Sequence, residues 1–94
     1  MPRFVVERTF DDGLARFTTP DVARACLTVI NNNTEEDVTW LTSYVTQDRT
    51  RSYCVYDGPS RESIERAATA NGLPVDSITE VRVLDPYLYV GTMA

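Results

Sequence analysis

The segment Val38-Thr39-Trp40-Leu41-Thr42-Ser43-Tyr44-Val45-Thr46-Gln47-Asp48-Arg49-Thr50-Arg51-Ser52-Tyr53-Cys54-Val55-Tyr56 decides the fold. Val38 to Thr46 and Thr50 to Tyr56 are rich in β-branched and aromatic residues, and the polar Gln47-Asp48-Arg49 separates them. That pattern predicts two antiparallel strands joined as a hairpin. A hairpin alone suits many architectures; its flanks narrow the choice, because a helical pattern lies on each side.

Upstream, Thr19-Pro20-Asp21 supplies a capping hydroxyl, a proline suited to the first helical position and an acid near the positive helix end. The helix is predicted to run to about Asn31, with Asn31-Asn32-Asn33 ending it. Val22, Ala23, Cys26, Leu27 and Ile30 fall on one face, which makes Cys26 a small core residue. Before this helix, Arg3 to Phe10 reads as a strand stopped by the turn Asp11-Asp12-Gly13. Downstream, Asp57-Gly58-Pro59-Ser60 breaks the hairpin, and Ser60 caps a second helix with the apolar stripe Ile64, Ala67 and Ala68 and a stop at Gly72. Ser77 to Leu84 reads as a fourth strand, and Tyr87-Leu88-Tyr89-Val90 as a short fifth. The order β-α-β-β-α-β is the split βαβ arrangement. It predicts an α+β, ferredoxin-like sandwich in which two helices cover one face of an antiparallel sheet and leave the other open.

The 94 residues suffice for one small domain, 1–94, and association would add stability to so small a core. Composition removes whole reaction classes. There is no histidine, and all nine basic residues are arginine, so the usual neutral-pH base, the Schiff-base amine and the commonest metal ligand are missing together. Fourteen carboxylates, two cysteines and five tyrosines remain, a set better suited to binding than to acid and base work. A net charge of −5 with scattered arginines argues against nucleic acid or an anionic membrane as partner. Met1-Pro2-Arg3 leads straight into the short apolar run Phe4-Val5-Val6, and no long apolar stretch follows. A cytoplasmic protein with reduced thiols is expected.

Strand alternation divides the sheet into two predicted faces. Phe4, Val6, Leu41, Val45, Tyr53, Val55, Val81 and Val83 form an apolar set expected under the helices. Val5, Glu7, Thr9, Trp40, Thr42, Tyr44, Ser52, Cys54, Tyr56, Ile78, Glu80 and Arg82 form a mixed set expected on the open face. Within it, Glu7, Trp40, Thr42, Tyr44, Cys54, Tyr56, Glu80 and Arg82 are the candidate ligand-binding residues. Trp40 and Tyr44 suit a subunit interface, which predicts a homodimer. Glu7 and Glu80 suit a cation or an ion pair with Arg8 or Arg82, and Cys54 is the single best functional candidate.

Several spaced blocks carry a resemblance: Val6-Glu7-Arg8-Thr9-Phe10, Val38-Thr39-Trp40 with Ser43-Tyr44-Val45, Tyr53-Cys54-Val55-Tyr56-Asp57, and Gly72-Leu73-Pro74-Val75-Asp76. From about residue 3 to residue 87 the chain resembles a domain-of-unknown-function family of small, mainly actinobacterial proteins. One characterised member of that family is a dimeric, nickel-binding, nickel-responsive protein with a ferredoxin-like fold. The resemblance implies a binding protein with nickel as cofactor. The family pattern often has histidine at the position of Thr42 and near Ala67, and neither imidazole is present here. The alternative function is a dimeric α/β-barrel enzyme of the cofactor-independent oxygenase, isomerase or cyclase type, acting on an organic ligand at the open face.

Overall fold

The computed structural model describes residues 1–11, 13 and 20–91. In chain order the elements are β1 (Arg3–Thr9), α1 (Pro20–Thr34), β2 (Thr39–Val45), β3 (Arg51–Asp57), α2 (Arg61–Asn71), β4 (Ser77–Val81) and α3 (Pro86–Gly91). The strands form one antiparallel sheet in the order β2-β3-β1-β4. This is the ferredoxin-like arrangement anticipated from the hairpin and its flanking helices.

Local chemistry sets the helix ends. Ser60 is extended (φ −159°) and its hydroxyl accepts the Ser63 N–H, so α2 starts on a side-chain cap. Gly72 ends α2 in the left-handed region (φ 65°), and the Leu73 N–H returns to the Ala68 carbonyl at 3.1 Å. In α1 the asparagine run does not stop the helix, which continues to Thr34. Its amides fasten α1 to α2 instead. Asn32 Nδ2 donates to Asn71 Oδ1 at 2.8 Å, and Asn71 Nδ2 donates to the buried Asn33 Oδ1 at 3.0 Å. The stripe that α1 turns inward is Val22, Cys26, Val29 and Asn33, while Ala23, Leu27 and Ile30 are exposed. The expected Thr19 cap and the Asp12 of the first turn lie outside the described residues.

Two further expectations are corrected. The fourth strand ends at Val81 instead of Leu84, and Tyr87 to Val90 form part of the short helix α3, not a fifth strand. Asp85 is the reason: its Oδ1 accepts the N–H of Tyr87 at 3.0 Å and of Leu88 at 3.4 Å, with Pro86 fitted to the first turn.

Cross-strand register overturns half of the predicted face assignment. Val6 lies opposite Cys54, Phe4 opposite Tyr56 and Arg8 opposite Ser52. Residues directly opposite share a face, so Ser52, Cys54 and Tyr56 join Phe4 and Val6 beneath the helices, and Tyr53 and Val55 turn to the open side. In β2 a bulge at Leu41, between Trp40 and Thr42, shifts the pairing by one residue. Trp40, Ser43 and Val45 therefore face the helices, and Thr42 and Tyr44 face out. Ile78 also belongs to the core, which gathers Phe4, Val6, Val38, Cys54, Tyr56, Ile64, Ala67 and Ile78.

Candidate functional site

A cavity of about 420 Å³ lies between α1 and the sheet. Short side chains meet short side chains there: α1 offers Ala25, Cys26 and Val29, and the strands opposite offer Ser43, Ser52 and Cys54. Neither layer fills the space between them, while Trp40, Tyr56 and Phe10 give it aromatic walls. The volume falls in the range of small-molecule sites.

Among the described residues, one charged group lines this space. Arg8 is 2% exposed, on the same side of β1 as Phe4 and Val6. Its Nη1 donates to the Pro74 carbonyl at 2.7 Å and its Nη2 to the Tyr56 hydroxyl at 3.2 Å. The guanidinium carbon lies 6.0 Å from the Tyr56 ring centroid. Among the described residues its Nε has no partner and no carboxylate comes within ion-pair range. Burial, with a smaller push from Cys54, holds the Tyr56 phenol above its usual range against the opposing pull of Arg8. Tyr56 thus stays neutral and does not compensate the arginine. Ser52 Oγ and Cys54 Sγ are 3.5 Å apart, and Trp40 Nε1 donates to Ser43 Oγ at 2.8 Å, a bond the Leu41 bulge permits by turning both residues inward.

The eight residues picked from sequence do not form one group. Trp40, Cys54 and Tyr56 line the cavity. Glu7, Thr42 and Tyr44 lie on the opposite face, where Glu7 pairs with Arg51 at 3.4 Å and not with Arg8 or Arg82. Glu80 is level with Phe4 but exposed on the edge strand β4, and Arg82 is exposed beyond its end. Sequence reading missed Arg8, Ser43 and Ser52. Arg8 was within reach, because the alternation that named Phe4 and Val6 as core arrives at Arg8 in its next step. Ser43 was not, since the bulge has no local signature.

A family model described as nickel responsive protein, SCO4226-like, matches residues 4–81. The chain belongs to this family. The crystal structure of SCO4226 from Streptomyces coelicolor A3(2) shares the fold with a TM-score of 0.71 at 23% identity, over 88% of this chain and 99% of that one. No curated protein matches. The donors among the described residues of this SCO4226-like chain do not fit a nickel centre. It has no histidine, and among the described residues no three His, Cys, Asp or Glu side chains come together. Cys54 has a serine hydroxyl beside it where nickel favours nitrogen and sulfur in number. No helix among the described residues is long and apolar enough to cross a membrane.

Proposed function

We propose that this SCO4226-like protein is a noncatalytic binding protein whose ligand occupies the cavity between α1 and the sheet. The observation that carries the reading is the space of about 420 Å³ with aromatic walls and a buried cation, Arg8, that no carboxylate among the described residues neutralises. Among the described residues its lining includes no carboxylate, and the sequence has no histidine, so these residues offer no base for proton transfer near neutral pH. That favours binding over the oxygenase, isomerase or cyclase alternative.

Trp40 is the sole tryptophan and lines the cavity, so its emission reports occupancy. Titration of tag-free protein with 3-phenylpropanol is expected to change that emission saturably in the wild type and to have no effect in a cavity-filling Val29→Phe variant. Equal responses from the two proteins would overturn the reading. Calorimetric titration with nickel chloride is expected to show no affinity tighter than roughly micromolar, because tight sites need soft or nitrogen donors in number and this chain has no imidazole. Stoichiometric nanomolar binding would restore nickel as the ligand.

The binding unit in this reading is a homodimer closed over the open sheet face, where Val5, Tyr53 and Val55 are half-buried and Tyr44 is 66% exposed. An apolar patch of this kind on so small a fold suits a second copy.

A further inference from the structure

Arg8 poses an electrostatic problem that the described residues do not solve. A guanidinium carries five N–H donors and does not lose its proton in a protein. Bonds from Nη1 and Nη2 reach two neutral oxygens, of Pro74 and Tyr56, and among the described residues the buried Nε–H is left unpaired on a side chain that lines the cavity. A buried, unpaired ion is strongly disfavoured, and burial of a cation is tolerated where an anion completes it. The rest of the cavity wall is largely aliphatic and aromatic. Val22, Val29, Trp40 and Val45 are among the residues that supply it.

From this juxtaposition we propose that the cavity takes a small amphipathic carboxylate, its anionic head on the guanidinium of Arg8 and its apolar body against Trp40, Val29 and Val45. The proposal rests on the cavity being the binding site. Arginine suits a carboxylate because its planar fork matches the two oxygens. A single cation, with no second one lining the cavity among the described residues, matches one negative charge better than a phosphate dianion. At about 30 Å³ for each water-sized group, the volume holds on the order of a dozen non-hydrogen atoms, the size of an aromatic ring bearing a short acid chain.

The test compares isosteric probes by Trp40 emission and thermal shift: 3-phenylpropanoate, its amide, and 3-phenylpropanol. In the wild type at neutral pH, the carboxylate should bind roughly tenfold or more tightly than either neutral probe, as expected of a charge-assisted pair. Arg8→Met should remove that preference, leaving the three probes alike. Circular dichroism establishes whether Arg8→Met folds. Should it not, Arg8→Lys keeps the charge but loses the fork, and it should weaken the carboxylate selectively. Equal affinity of acid, amide and alcohol for the wild type would overturn the anion proposal while leaving the cavity as a binding site. Failure of all three to bind would overturn both.

Discussion

At the hairpin turn the Asp48 carboxylate accepts the Thr46 hydroxyl at 2.7 Å, the Thr50 N–H at 3.0 Å and the Thr50 hydroxyl at 2.8 Å. These bonds, the one from Thr46 foremost, hold its pKa at about 2. A carboxyl depressed in the folded state contributes stability that is fully present above its unfolded pKa of about 3.9, and that contribution is lost as pH falls through the folded value. The melting-temperature gap between wild type and Asp48→Asn is therefore expected to be constant at neutral pH and to close between about pH 4 and pH 2. A gap that does not change with pH would show that the turn does not depend on the ionised acid. The two thiols differ in the same local way. Cys54 is buried and Cys26 only half so. Ellman's reagent should modify Cys26 first, and Cys54→Ser should be the more destabilising change, by on the order of 1–3 kcal/mol. Faster labelling of Cys54 would mean that β3 faces the other way.

Among the elements, the β3 to α2 connection is tight at Gly58. A Cβ on Gly58 would come within 2.9 Å of Ile64 Cδ1 and 3.2 Å of Val38 Cγ2, both in the buried core. Gly58→Ala should cost roughly 1–3 kcal/mol by overpacking, read as a lower denaturation midpoint; an unchanged midpoint would show that α2 shifts freely. Element order, the Ser60 cap and the Gly72 stop were legible in the sequence because each rests on neighbours in the chain. Strand faces were not. In β3 both alternating sets contain apolar residues, Tyr53 and Val55 against Cys54 and Tyr56, and only the long-range pairing of Val6 with Cys54 decides between them. The inward stripe of α1 was obscured in a similar way, because Leu27 and Ile30 are as apolar as the residues that face the sheet. The cavity depends on both assignments, so the local pattern yielded only Trp40, Cys54 and Tyr56 of its wall. Asp85-Pro86 did carry a readable helix start, which the β-prone Tyr87-Leu88-Tyr89-Val90 masked.

At the scale of the whole molecule, apolar surface remains on the open sheet face and on α3, which has no buried residue and carries Tyr87 at 85% and Leu88 at 67% exposure. Sedimentation equilibrium across the micromolar range is expected to give a dimer. Tyr44→Glu, which adds charge to the open face without touching the core, should shift it to monomer with an unchanged circular dichroism spectrum. A monomeric wild type would remove the dimer from the functional reading. The Leu41 bulge has a consequence for solubility as well. In the order β2-β3-β1-β4 of the described residues, β2 is an outer strand, and the edge of a sheet is the natural template for runaway strand addition between molecules. An extra residue kinks and overtwists that rim, so an incoming strand finds no straight ladder to extend. Deleting Leu41 should straighten the rim, and thioflavin fluorescence on prolonged incubation should then rise above that of the wild type. The irregularity that turns Trp40 and Ser43 into the cavity would thus also guard the protein against fibril growth.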